Sequence, residues 1–239
     1  MSWRDYWNSD TPIYVNERHR QLHYRRIATD LVALIDEICP QGKPVVLDYG
    51  CGEALEADQV AKRCESLLLA DAASTVVDHL QARFAGTPRI RVLHADHVET
   101  LPDASLDIVV ANSVIQYVAR AEFDRLLSVC RAKLKPQGAL ALADVIPRSV
   151  GPVTDASALL RFAAQHGFLV AALTGLVRTA LSDYRKLSKT LGVAHYDEQE
   201  MLGIVRNAGF APTRRQPNLG INPARMTFVA RATTGSAGR

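Results

Sequence analysis

Three aspartates carry the clearest chemical signal in this sequence: Asp48, Asp71 and Asp96, each at the end of a short apolar run. Asp48 closes Val45, Val46 and Leu47 and is followed by Gly50, Cys51 and Gly52. Glycines there let the chain turn sharply and let a ligand lie against the main chain. A carboxylate two residues before the first glycine repels a pyrophosphate and suits a ligand with a cationic amino group. Leu55 holds the position of the third glycine of a dinucleotide fingerprint, which disfavours a nicotinamide-dependent oxidoreductase. Asp71 lies 19 residues beyond Gly52, the distance at which an acid reaches ribose hydroxyls in nucleotide-binding βαβ units. Asp96 could accept a hydrogen bond from an exocyclic adenine amine. Each acid alone could be a helix N-cap. Three at successive strand ends point to a ligand, because open α/β sheets bind ligands at the carboxyl edge of their strands.

The elements that must position these acids are legible in the apolar pattern. His19, His23, Ile27, Leu31, Leu34, Ile35 and Ile38 share one face of a long helix that Gly42 and Pro44 close. Apolar strands are predicted at 45–47, 67–70, 90–93, 107–111 and 138–146, with helices at 53–64, 74–84 and 120–134. Continuous apolar strands alternating with helices indicate a parallel sheet covered on both faces. Beyond 146 the alternation breaks into helical runs at 155–165 and 168–190 and a helix at 197–208. Strands opening at 209–211 and spanning 226–230 follow, with Pro217, Gly220 and Pro223 suiting a hairpin-like connection between antiparallel strands. The expectation is one α/β domain, a Rossmann-like three-layer sandwich with a seven-stranded, mostly parallel sheet and an antiparallel last strand. Its parts are an N-terminal helical cap (1–43), a ligand-binding core (44–147), a helical insertion or lid (152–192), the last helix and strand pair (196–232) and a disordered tail (233–239).

Composition narrows the function classes. The 239 residues are 48% hydrophobic with a formal net charge of +3, which gives no electrostatic case for nucleic acid as partner. The four cysteines, Cys39, Cys51, Cys64 and Cys130, form no Cys-x-x-Cys pair, so neither a zinc ribbon nor a disulfide framework is favoured. His94 and His97 lack partners at metal-binding spacing, and no metal is expected. The N-terminus lacks the apolar core of a secretory signal, and the longest apolar stretch, Gly167 to Val177, is too short to span a bilayer. A reduced, cytoplasmic protein is expected.

Residues 44–146 resemble the class I S-adenosylmethionine-dependent methyltransferases of the small-molecule type. The segment from Asp48 to Gly52 is similar to their glycine motif, Asp71 to their ribose acid and the segment from His94 to Pro102 to their adenine-binding segment. The run from Asp107 to Asn112, Gln116 and Tyr117 resembles their fourth strand and its exit, and the turn from Leu134 to Gly138 leads similarly into their fifth strand. The resemblance implies strand order 3-2-1-4-5-7-6. It implies S-adenosylmethionine as cofactor and S-adenosylhomocysteine as product. Asp48 would face the methionine amino group, with Gly50, Cys51 and Gly52 beneath the methionine chain. Asp71, with Ala72 beside it, would take the ribose hydroxyls; Asp96 would face the adenine amine with His97 alongside the ring; Asn112 would lie near the methionine end. Three positions depart from the family pattern: Ala54 and Gln137 replace glycines, and Gln116 stands where many relatives carry histidine, which removes an expected general base. Ser113 and Val114 replace the prolines of the amino-group methylase motif, so a nucleobase amine is disfavoured.

Methyl transfer from a sulfonium is an in-line displacement that mostly requires positioning, and positioning can supply on the order of 7–11 kcal/mol. The acceptor would be O, N or C of a small, moderately apolar metabolite. Candidate catalytic groups are His19, His23, Tyr117 and Asp144, and candidate substrate contacts are Tyr14, His19, His23 and Tyr117. His19 and His23 could instead be satisfied interfacial histidines, and Asp144 a turn cap. The apolar insertion, with basic residues after it, could be a substrate lid, a membrane-surface contact through 158–189 or a dimer interface. The alternatives to a small-molecule methyltransferase are a non-catalytic cofactor-binding module and, less favoured, a protein or nucleic-acid methylase.

Overall fold

The computed structural model describes residues 3–8, 14–180 and 192–233. Seven strands, β1 (Val45–Tyr49), β2 (Ser66–Asp71), β3 (Ile90–His94), β4 (Leu106–Asn112), β5 (Leu134–Val145), β6 (Phe210–Arg215) and β7 (Met226–Ala232), form one sheet. Their order is β3-β2-β1-β4-β5-β7-β6. β1 to β5 pair in parallel, and β7 runs antiparallel between β5 and β6. This is the architecture that the apolar pattern and the resemblance imply.

Side chains alternate along each strand and so build two cores. On one face Leu47, Leu68, Val109, Leu140 and Phe228 pack against α5 (Arg120–Lys133) and α8 (Glu198–Asn207), through Phe123, Leu127, Met201 and Val205. On the other, Val46, Leu67, Leu69, Ile108 and Val110 meet Leu31, Leu34 and Ile35 of α2 (Glu17–Ile38). The same face carries Val60 of α3 (Ala57–Ala61) and Leu80 of α4 (Ser74–Arg83). Asn16 caps α2, its side chain accepting the His19 N–H at 2.8 Å. A short helix, α1 (Trp3–Trp7), precedes it.

Two element boundaries move. The helix expected over 53–64 shrinks to α3, because the chain from Gly50 to Ala54 is taken up by a turn: Gly50, Gly52 and Ala54 have φ of +74°, +56° and +42°. β5 begins at Leu134 rather than 138, since α5 ends at Lys133 and the chain runs straight into the sheet.

The insertion is a helix pair, α6 (Pro152–His166) and α7 (Leu169–Ala180), broken by Gly167 at φ +75°. The rest of the run expected to 190, and the tail from 234, lie outside the described residues. Phe162, Ala163, Phe168 and Ala172 pack with Val15 and Leu22, so the pair lies on the N-terminal end of α2. Arg18 Nε donates to the His166 carbonyl at 2.8 Å. Gly175 brings α7 so close that any side chain there would collide with Val15. The opposite face of α7 exposes Leu169, Val170, Leu173 and Val177. Among the described residues no helix is long and apolar enough to cross a membrane.

Gly175→Leu is expected to overpack this contact at a cost of about 1–3 kcal/mol. Limited proteolysis checks it: cleavage within α6 and α7 should accelerate while the main urea transition stays in place.

Candidate functional site

The five parallel strands end their carboxyl termini at one edge, and a cavity of about 1930 Å³ opens there, walled on its far side by α2 and α6. Its floor is the turn after β1. The N–H groups of Gly50 and Cys51 donate to the Ala70 carbonyl at 2.7 and 3.1 Å, so the turn is hung from β2. The Gly52 N–H donates to Asp71 Oδ2 at 2.9 Å, and the Ala73 N–H to Oδ1 at the same distance. Both glycines are required. Beyond their positive φ, a Cβ at Gly50 would strike Val114, and one at Gly52 would lie 2.9 Å from the Tyr24 hydroxyl oxygen. That hydroxyl accepts the Glu53 N–H at 3.0 Å, and Arg20 pairs with the Glu53 carboxylate at 2.7 Å, so α2 grips the turn from above.

Of the residues singled out from sequence, Asp48, Gly50, Cys51, Gly52, Asp71, Ala72, Asp96 and Asn112 line this cavity, as do Tyr14, His19, His23, Tyr117 and Asp144. His97 does not. Residues 95–100 coil into a 3₁₀ turn that puts the His97 ring in solvent, and the buried Val98 lines the cavity instead. His94 shapes this turn, its Nδ1 accepting the Asp96 N–H at 3.3 Å and its Nε2 lying 3.1 Å from the Ala72 carbonyl. Among the described residues no cluster of His, Cys, Asp or Glu could hold a metal.

Asp144 is neither a turn cap nor an available base. At φ +59° its carboxylate accepts from Ser113 Oγ (2.7 Å), Asn218 Nδ2 (3.2 Å) and Arg225 (2.5 Å). Arg225 also binds both oxygens of Asp155 on α6, at 3.1 and 3.0 Å. This network ties the end of β5, the exit of β4, the insertion and the β6–β7 connection together. Sequence reading missed Arg225, Asp155, Asn218 and Asn222. They come from distant segments, and no local spacing announces their meeting.

The titratable groups divide by environment. Burial pushes the Asp48 carboxyl up to about 7, and the neighbouring Asp71 charge adds to it. Burial holds His19 and His23 down to about 4, so both imidazoles are neutral at pH 7. Burial also raises the Tyr14 and Tyr24 phenols. Four side chains in the cavity wall have buried polar atoms with no hydrogen-bond partner among the described residues: His19 Nε2, Asn112 Oδ1, both amide atoms of Gln116 and Arg20 Nε, the last facing the Glu17 carboxylate. Each such atom costs about 1–3 kcal/mol unless something satisfies it.

Asp48 makes stability pH-dependent with a definite sign. Between about pH 4 and 7 the folded protein keeps a proton that the unfolded chain has lost, so Asp48 lowers stability progressively as pH rises through that window. Asp48→Asn is expected to leave the urea midpoint little changed near pH 4. At pH 8 it should raise stability by on the order of 2–4 kcal/mol. An advantage that does not grow with pH refutes the assignment.

Comparison with known proteins agrees with this geometry. A family described as a methyltransferase domain matches residues 46–138. An uncharacterized methyltransferase of Mycobacterium bovis is 36% identical over 121 residues, 49% of this chain and 59% of that protein. A protein of Mycolicibacterium smegmatis named a probable S-adenosylmethionine-dependent methyltransferase is 33% identical over 168 residues, 70% of this chain and 57% of that one. The chain therefore spans less than two thirds of the length of these relatives. The magnesium protoporphyrin IX methyltransferase of Synechocystis PCC 6803, solved with S-adenosylhomocysteine bound, superposes with a TM-score of 0.58 at 15% identity, over 98% of this chain and 93% of that one. That likeness is one of fold. Residues 46–138 therefore match a family described as a methyltransferase domain, on a sheet whose fold is that of the Synechocystis methyltransferase.

Proposed function

We propose that this protein transfers a methyl group from S-adenosylmethionine to O, N or C of a small, moderately apolar metabolite. One observation carries the reading. Asp48, the glycine turn and Asp71 converge at one end of a cavity of about 1930 Å³, well beyond the roughly 1,000 Å³ upper range of single-ligand pockets. Two ligands fit where one would leave space.

The residues present suit the cofactor. Gly50 and Gly52 form a cradle that a Cβ would fill. No described basic side chain pairs with Asp48, which leaves it and the orphaned Asn112 Oδ1 for a cationic amino group. Each Asp71 oxygen already takes one backbone N–H and retains a lone pair for ribose hydroxyls. Asp96 would face the adenine amine, with Val98 against the ring. When bound, S-adenosylmethionine supplies a methyl group on a positively charged sulfur.

The rest is positioning. His19 and His23 are too weakly basic to hold a proton at pH 7, and the Asp144 carboxylate is held in an ion pair with Arg225 and accepts from Ser113 and Asn218. The cavity walls therefore act chiefly by orienting an acceptor against the methyl donor.

The exposed Leu169, Val170, Leu173 and Val177 form one stripe on α7, which supports peripheral contact of the insertion with a membrane surface. Val170, 77% exposed, tests it. Protein should co-sediment with anionic phospholipid vesicles, and Val170→Glu should lower the bound fraction severalfold.

Asp71→Asn keeps an acceptor for the Gly52 N–H but loses the one for the Ala73 N–H and puts a donor where a ribose acceptor is needed. It is expected to weaken S-adenosylhomocysteine binding about ten- to a hundredfold by calorimetry, with the far-UV circular dichroism of the sheet and helices retained. Formation of S-adenosylhomocysteine from S-adenosylmethionine in the presence of a solvent-extracted metabolite pool separates an enzyme from a non-catalytic binding module.

A further inference from the structure

Two arginines in the cavity wall are each paired with two carboxylates. Arg225 is held between Asp144 and Asp155, and Arg20 between Glu17 and Glu53. Two uncharged side chains there, His19 and Gln116, have buried polar atoms with no partner among the described residues. His19 is 7% exposed, and its Nδ1 accepts the Val15 N–H at 3.4 Å. A neutral imidazole that accepts at Nδ1 carries its proton on Nε2, and that nitrogen has no partner among the described residues. The ring is fixed in place, stacked on Phe168 at 5.3 Å and edge-on to Tyr14 at 5.4 Å. Gln116, on the turn after β4, is 2% exposed, and neither its amide nitrogen nor its oxygen has a partner.

Buried polar groups in native proteins are almost always hydrogen-bonded. Two orphans in the wall of one cavity mark where a bound molecule completes the pairing, after a small adjustment of the side chains around them. An imidazole N–H donates to an oxygen; a carboxamide both donates and accepts, which matches a hydroxyl. The neighbouring surfaces are the rings of Tyr14, His23 and Tyr24 with Leu159 and Ile221, flat and apolar. We propose that this subsite takes an uncharged aromatic-ring compound bearing a hydroxyl or carbonyl oxygen, held by the His19 Nε2–H and the Gln116 carboxamide. It rests on the methyltransferase reading only in making this compound the methyl acceptor. The low basicity of both histidines fits it, since neither presents a cation to attract a carboxylate at pH 7.

The probes are 1-naphthol, 1-naphthoate and 1-naphthylmethylammonium, one ring with three charges, titrated calorimetrically into the full chain saturated with S-adenosylhomocysteine. Naphthol should bind at least about tenfold tighter than either ion, because no unpaired charge repays desolvation of theirs. His19→Phe keeps the stacking and removes the donor, and Gln116→Leu removes the carboxamide. Each should weaken naphthol binding about five- to tenfold while S-adenosylhomocysteine affinity stays the same. Tighter binding of either ion, binding of none of the three, or full naphthol affinity in both variants overturns the proposal. The wild-type comparison stands even where a variant does not fold. Failure of S-adenosylhomocysteine itself to bind strikes the methyltransferase reading instead.

Discussion

The site depends on how the turn after β1 is held. That turn has three left-handed residues, Gly50, Gly52 and Ala54. It keeps its shape because β2 lies beside it in parallel register, so the Ala70 carbonyl and the Asp71 carboxylate meet the N–H groups of Gly50, Cys51 and Gly52. Parallel pairing alone brings two consecutive strand ends to the same edge. Asp71 thus works on both sides, orienting the turn through one set of lone pairs and facing the cavity with the other. The Tyr24 hydroxyl and Arg20 complete the clamp through Glu53.

Electrostatics divide the cavity into two halves. At the glycine turn Asp48 stands close to Asp71 with no basic partner among the described residues, and its carboxyl is raised to about 7. A folded protein that tolerates this penalty is arranged for a cation. At the other half the Asp144–Arg225–Asp155 network closes on itself. It fixes α6 to the sheet and leaves neutral imidazoles, phenols and amides as the exposed chemistry. The cap and the insertion belong to the same construction: Phe168 supports the His19 ring, and Gly175 admits Val15 close to α7.

Much of this was legible in the sequence. Strand periodicity located the sheet, and acids at strand ends located its functional edge. Each signal is local: a strand pattern, a glycine pair, a fixed distance to the next acid. Where local signals misled, a turn had taken residues from a helix. Ala54, of a residue type that favours helix, sits in the turn at φ +42°, and the 3₁₀ turn at 95–100 puts His97 outside the cavity and Val98 in its wall. Those outcomes hinge on single dihedral angles, which residue type constrains only weakly.

The sequence by itself therefore determined the layered α/β architecture, the edge at which a ligand binds and the acids that face it, because these follow from periodicity and from spacing along one chain. Only the tertiary structure decided the role of the polar residues beyond β4. Asp144 could have been a base; Arg225, 81 residues away, makes it a strut. His19 could have been a satisfied interfacial histidine; its neighbours leave Nε2 without a partner. Whether a titratable side chain is neutral, paired or poised depends on desolvation and on charges brought near it by folding, and neither is a property of its place in the sequence.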